Sequence, residues 1–282
     1  FNELGWVPGS TTPWLLSEES GYGHLYTVDA QGSPVQHTSG AFEVSDVAFT
    51  RDGAAAYLLA NRARPTEWDL YRLTVASGEL ARVTQLRGVE SYTLHPAEDR
   101  VLLRHSRSYT PTQAAILSLA DDGSGENDAG KLSAATDTRT EAYRELDWQA
   151  PSFVGIPSSH VEKNIWTKFY PARGDFSGPR PIVVFVHGAG YTQNTHHEFP
   201  YYFREQMFHN LLTARGYHVI DMDYRASSGY GRDWRTAIYR HMGKPELQDL
   251  IDGVKWVAKW HDGDLSRVGV YGGSYGGFMS LT

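Results

Sequence analysis

Val268-Gly269-Val270-Tyr271-Gly272-Gly273-Ser274-Tyr275-Gly276-Gly277-Phe278 is the stretch on which the reading of this chain turns. A short apolar run leads into Gly-x-Ser-x-Gly, with Ser274 at the centre. That pattern predicts a nucleophile elbow, a strand-to-helix turn so tight that the serine backbone is strained and its hydroxyl stands exposed. Glycines on both sides of the serine remove the Cβ atoms that would clash in such a turn. The following helix would aim its first N–H groups, and the positive end of its dipole, at the reacting centre.

In α/β-hydrolase chains the serine is followed by the orienting acid and then by the histidine base. Only eight residues follow Ser274, and none is Asp, Glu or His. These 282 residues are therefore expected to hold a nucleophile without the groups that activate it, and not to turn over by themselves. Asp264, in the turn leading into the elbow strand, is assigned a structural role.

Bulk composition bounds the rest. Apolar residues make up 40% and charged residues 21%, ordinary values for a globular protein with room for two domains. A net charge of -7 without a basic run argues against a nucleic-acid partner. No stretch is apolar for long enough to predict a membrane-spanning helix. The absence of cysteine excludes disulfides, thiolate metal sites and a cysteine nucleophile. Phe1-Asn2-Glu3-Leu4 has neither Met nor the features of a signal peptide and reads as an internal cut, which leaves periplasmic and cytoplasmic locations both open.

The first half carries a repeat. His24-Leu25-Tyr26-Thr27-Val28-Asp29 returns 45 residues later as Asp69-Leu70-Tyr71-Arg72-Leu73-Thr74, and a fainter copy falls at Ala114 to Leu119. Val44 to Gly53 answers to Val89 to Glu98 at the same displacement. Short alternating strands separated by turns such as Asp29-Ala30-Gln31-Gly32 and Arg51-Asp52-Gly53, at this period, predict β-propeller blades. Two to three blades are visible, a partial propeller of the C-terminal blades. The polar, Gly-rich segment Asp121 to Asp128 is expected to be an exposed loop.

The second half changes period. Ile165 to Tyr170, the almost wholly apolar Pro181 to Val186, and Tyr217 to Arg225 read as strands. Phe199 to Arg215 reads as an amphipathic helix presenting Phe203, Met207, Leu211 and Leu212, ended by Gly216. Glu246 to Trp260 reads as a second helix with Leu250, Val254 and Val257 on one side. Strands alternating with helices predict a doubly wound α/β sheet. The expected organisation is a partial propeller over 1–150 and the N-terminal part of an α/β-hydrolase domain over 151–282.

In this order of parts the chain resembles the prolyl oligopeptidase family of serine peptidases, and within it the dipeptidyl peptidase IV subgroup. The residues that carry the likeness are Gly272 to Gly277, Ser17 to Tyr26, Asp223 to Gly231 and Glu246-Leu247-Gln248-Asp249. The resemblance implies a peptidase acting on short peptides through an acyl-enzyme, with no cofactor and no metal. Ser274 would attack the scissile carbonyl, and the backbone N–H of Tyr275 would donate to the oxyanion. Many family members place a tyrosine at the end of the strand corresponding to Pro181 to Val186, where its hydroxyl completes the oxyanion hole. This chain has His187-Gly188-Ala189-Gly190 there, so the expected second donor is the His187 imidazole or a backbone N–H near Gly188. The resemblance further implies that the pocket for proline and the carboxylates that hold a substrate's amino terminus lie outside these residues. It leaves a homo-oligomer of the full-length protein open.

Other clusters are given plainer roles. His196-His197-Glu198 lacks metal-protease spacing and reads as a solvated helix start. Glu18 and Glu19 read as a propeller turn, Asp221 and Asp223 as partners of Arg225 or loop N–H groups, and Arg225 as a loop brace. Two other functions compete. An esterase or lipase-like hydrolase would share the elbow but not the upstream repeat, and a non-catalytic propeller–hydrolase scaffold would not need an intact elbow.

Overall fold

The computed structural model describes residues 3–119 and 132–282, so the segment expected as a loop at 121–128 lies outside the described residues. The chain divides into two compact units, 1–144 with 197–199 and 229–232, and the remainder from 145 to 282.

In the first unit the strands run β1 (Leu4–Trp6), β2 (Pro13–Ser17), β3 (His24–Val28), β4 (Pro34–Gln36), β5 (Val44–Phe49), β6 (Ala55–Arg64), β7 (Glu67–Thr74) and β8 (Glu79–Arg82). They continue with β9 (Val89–Leu94), β10 (Arg100–Arg107), β11 (Thr110–Ser118) and β12 (Leu132–Ala134). Each successive set of four forms one antiparallel meander, so the described residues of the unit form three propeller blades. The 45-residue repeat maps onto this directly: β3, β7 and β11 are the third strands of their sheets, and β5 and β9 are first strands.

Period-two alternation on β6 explains how the blades pack. Ala56, Leu58 and Ala60 join Leu16, Leu25, Phe42, Tyr71 and Leu73 in one buried cluster. Tyr57 and Leu59, pointing the other way, join Leu70, Val89, Tyr92, Val101, Leu103 and Leu117 in a second. β6 is thus covered on both faces. The repeat also carries a polar clip: Thr38 Oγ1 accepts the Leu25 N–H and bonds His24 Nδ1, while Thr84 Oγ1 accepts the Leu70 N–H and donates to Asp69. Asp69, fully buried, also accepts the N–H groups of Leu86 and Arg87, which satisfies a charge that would otherwise be costly to bury.

In the second unit, after the short helix α1 (Glu141–Arg144) of the first, come β13 (Ser152–Pro157), β14 (Asn164–Tyr170), β15 (Arg180–Val186), helix α2 (Phe203–Ala214) and β16 (His218–Met222). The turn α3 (Arg232–Arg235), helix α4 (Lys244–Trp260), β17 (Gly263–Gly272) and α5 (Tyr275–Leu281) complete it. The sheet order is β13-β14-β16-β15-β17, antiparallel as far as β16 and parallel across β16, β15 and β17. This is the α/β-hydrolase arrangement, with the serine turn at the carboxyl end of a parallel strand. Ligands of open parallel sheets bind at that end.

Helix α2 departs from the sequence reading in both length and facing. It begins at Phe203 rather than Phe199, because Tyr201 and Tyr202 form a turn ahead of it. Its buried residues are Gln206, His209, Asn210 and Thr213, whereas Leu211 and Phe208 are exposed. The polar stripe is buried because it is matched: Tyr170 donates its hydroxyl to Gln206, and Asn210 accepts the N–H of Gln149. Helix α4 follows expectation more closely, burying Leu250 and Val257 against the sheet, with Val254 partly covered.

Candidate active site

Parallel pairing of β15 with β17 sets Val186 beside Gly272, so the turns that leave the two strands are neighbours. Close approach there is possible only with glycine. A Cβ on Gly276 would fall inside the contact radius of Val186 O and 2.8 Å from Val186 C. A Cβ on Gly272 would likewise collide with Val186 O and with the Gly276 backbone. Gly273 and Gly277 are less confined, with nothing within 4 Å of a Cβ on Gly273. Ser274 is exposed and holds φ 54, ψ −119, a positive φ that a residue with a Cβ adopts only under constraint. The turn is pinned by Gly276 N–H to Gly273 O at 2.9 Å and by Phe278 N–H to Ser274 O at 3.1 Å.

Tyr275 is the first residue of α5, where a backbone N–H has no intrahelical acceptor. Its hydroxyl donates to Glu246 on α4, and Glu246 also accepts the Gly243 N–H at 3.0 Å. Burial raises the Tyr275 phenol to beyond its usual range. The Tyr275 ring stacks on Tyr224 (6.4 Å between centroids, 28°), and Tyr224 stacks on His187 (4.5 Å, 14°). This aromatic pile fixes the residue next to the serine from one side.

At the neighbouring turn, a Cβ on Gly188 would stand 2.9 Å from Tyr202 Oη, 3.0 Å from Gly273 O and 3.3 Å from Ser274 Cβ. The Gly188 N–H donates to Tyr202 Oη at 2.8 Å. These contacts bring the Gly188 corner, the Tyr202 hydroxyl and the serine turn together.

The family model described as "Prolyl oligopeptidase family" matches residues 202–282, and that described as "Dipeptidyl peptidase IV (DPP IV) N-terminal region" matches residues 6–112. The C-terminal part of the chain is thus similar to the prolyl oligopeptidase family and the N-terminal part to the dipeptidyl peptidase IV N-terminal region. Among its curated relatives, the "Probable dipeptidyl-aminopeptidase B" of Coccidioides posadasii is 27% identical over 98% of this chain and 32% of its own length. The protein of the same name from Emericella nidulans is 28% identical over 93% of this chain and 28% of its own length. The chain therefore spans about a third of the length of these relatives. The crystal structure of Porphyromonas gingivalis dipeptidyl peptidase 4 shares the fold, with a TM-score of 0.79 and 19% identity, over 96% of this chain and 37% of that one.

In this chain the strand-end histidine is an interior residue. His187 is fully buried, its Nε2 lies 3.1 Å from Ser227 Oγ and its Nδ1 3.0 Å from Gly188 O. Burial pushes its pKa below the ordinary imidazole range. The backbone carbonyl of His187 accepts the Tyr224 hydroxyl at 2.7 Å. Asp223 accepts the N–H groups of Asn194 and Thr195, and Asp221 accepts both bonds from the Asn194 side chain and lies 3.8 Å from Lys168 Nζ. The two aspartates thus anchor the loop after β15 through N–H groups. Arg225 pairs instead with Asp249 on α4 and reaches Pro245 O and Gln248, bracing the loop after β16.

The remaining candidates take structural places. Asp264 accepts the N–H and hydroxyl of Ser266 and the Arg267 side chain, and these bonds hold its carboxyl down at about 2. Glu18 and Glu19 lie in a turn, with Glu19 exposed. Among the described residues no cluster of three or more His, Cys, Asp or Glu is placed to hold a metal, and no helix is long and apolar enough to cross a membrane. Sequence reasoning passed over Tyr202. Nothing local marks it, because its contact with Gly188 depends on where a turn before α2 returns to the sheet.

Proposed function

We propose that this chain is the part of a serine peptidase that carries the nucleophile, and that the whole protein removes dipeptides from short peptide substrates through an acyl-enzyme. Ser274 Oγ attacks the scissile carbonyl, and the N–H of Tyr275 stabilises the oxyanion. A second donor comes from the Gly188 corner. The His187 imidazole, with both nitrogens engaged in the interior, positions that corner. Residues 1–150 are taken as the propeller portion and 151–282 as the hydrolase portion.

The observation that carries this reading is the exposed, positive-φ serine at the carboxyl end of a parallel strand, held against the Gly188 turn by glycines that admit no side chain. A packing role does not account for it, since strain of about 1–3 kcal/mol at an exposed residue has no structural return. The match to the prolyl oligopeptidase family model and the names of the dipeptidyl-aminopeptidase B relatives support the substrate class. The three blades and the match to the dipeptidyl peptidase N-terminal region favour a peptidase over an esterase, which needs neither.

The test uses the protein as its gene encodes it. A dipeptidyl anilide with a free amino terminus should be cleaved, and Ser274→Ala should abolish cleavage while leaving the thermal midpoint in place. Undiminished peptide cleavage by Ser274→Ala, or cleavage of simple esters alone, would overturn the reading.

A further inference from the structure

We infer that the Tyr202 hydroxyl, delivered from the turn before α2, is the side-chain donor that stabilises the oxyanion at Ser274. This rests on the peptidase reading above and assigns a residue to a position which that reading left to the Gly188 corner as a whole.

Distance comes first. The site of a Cβ on Gly188 is 2.9 Å from Tyr202 Oη and 3.3 Å from Ser274 Cβ, so the hydroxyl lies within about 6 Å of the serine Cβ. On this assignment the oxygen of an acyl group bonded to Ser274 Oγ lies between the two groups. A donor acting on an oxyanion must come within about 2.7–3.1 Å of it, and a gap of this width holds one such oxygen.

Direction follows from the bond already made. Tyr202 Oη accepts the Gly188 N–H at 2.8 Å, and among the described residues its own proton goes to no acceptor. The phenol is therefore oriented by one hydrogen bond and has its donor to spare. Donation into its lone pair also polarises the O–H, as happens in hydrogen-bond chains. The ring is held edge-on to Phe185 (5.4 Å, 67°) and Tyr201 (5.3 Å, 89°), so the hydroxyl is placed before substrate arrives. Partial burial raises the Tyr202 pKa, mainly through desolvation, so the proton is retained at neutral pH.

Other groups at this corner are committed elsewhere. His187 uses both imidazole nitrogens in the interior, and the Gly188 N–H is taken up by Tyr202 itself. As Ser274 Oγ bonds to the carbonyl carbon, the carbonyl π pair moves onto oxygen. Tyr202 donates a hydrogen bond to that oxygen and keeps its proton throughout, so nothing is oxidised or transferred. The rival arrangement has the Gly188 N–H as the donor and Tyr202 as an occupant that substrate displaces.

The experiment compares the parent protein, Tyr202→Phe and Ser274→Ala, each as the full chain, using a dipeptidyl anilide and a peptidyl boronate that forms a tetrahedral adduct. Tyr202→Phe should lower kcat by about 10²–10³ with KM changed by no more than a few-fold, and should weaken boronate binding by a similar factor. An unchanged or raised kcat in Tyr202→Phe overturns the inference, because loss of a displaceable occupant costs nothing. If Ser274→Ala is inactive while Tyr202→Phe is fully active, only this inference fails; if Ser274→Ala is active, the peptidase reading fails first. Should Tyr202→Phe not fold, 3-fluorotyrosine at position 202 decides. Its more acidic phenol should move the alkaline limb of the kcat profile to lower pH, and an unmoved limb overturns the assignment.

Discussion

Substituting Gly276 by Ala probes the elbow more sharply than any change at the serine itself, because it alters only clearance. The added methyl would stand 2.8 Å from Val186 C and closer still to Val186 O, both backbone atoms of a central strand. Carbon atoms pack at about 3.5–4.0 Å, so α5 would have to recede from β15 by at least about 0.7 Å. A misplacement near 1 Å can cost about 10²-fold in rate. Overpacking of this kind destabilises by roughly 1–3 kcal/mol. Gly276→Ala should therefore lose about two orders of magnitude in kcat and several degrees in Tm. Gly273→Ala, with no atom within 4 Å of the new carbon, is the control and should be nearly silent in Tm. The assays are anilide hydrolysis and calorimetry on the full chain. If Gly276→Ala and Gly273→Ala behaved alike, the argument that glycine is required for strand clearance would be wrong.

Two further outcomes are expected. His209 is almost wholly buried among Tyr170, Phe185 and Tyr271, and desolvation pushes its pKa down to about 3. The unfolded chain binds this proton near pH 6.5 and the folded chain does not, so stability contributed by the neutral ring falls as pH drops below 6.5. The slope is about 1.4 kcal/mol per pH unit, and His209→Phe should flatten the Tm profile between pH 6 and 4; an unchanged profile would refute the assignment. Arg225→Met strands the buried Asp249 carboxylate and should cost about 3–5 kcal/mol at neutral pH. Desolvation already raises the Asp249 pKa, so protonation should relieve the loss as pH falls, and a loss independent of pH would contradict this.

How much of this was legible in the sequence depends on the range over which each residue acts. The blades were readable because a strand repeats its chemistry locally: Leu25 and Leu70 are buried at equivalent places in β3 and β7, one repeat apart. The elbow was readable because Gly272 and Gly276 are dictated by a turn only a few residues long. Helix α2 was misread in its facing because apolar periodicity assumes an apolar partner. The surface under α2 presents the Tyr170 hydroxyl and the Gln149 N–H, so Gln206 and Asn210 turn inward. His187 carries no sign in the sequence of whether it faces substrate or interior, since Ser227, its partner, is forty residues away. Tyr202 was invisible for the same reason. Its role follows from the meeting of two turns that no local pattern records.

The most direct measurement is to treat the full-length gene product with a fluorophosphonate and map the adduct by peptide mass spectrometry. A single stoichiometric adduct on Ser274, formed in step with loss of dipeptidyl anilide cleavage, is the predicted result. An adduct on another residue, or full inactivation with Ser274 unmodified, would contradict the assignment of this serine as the nucleophile.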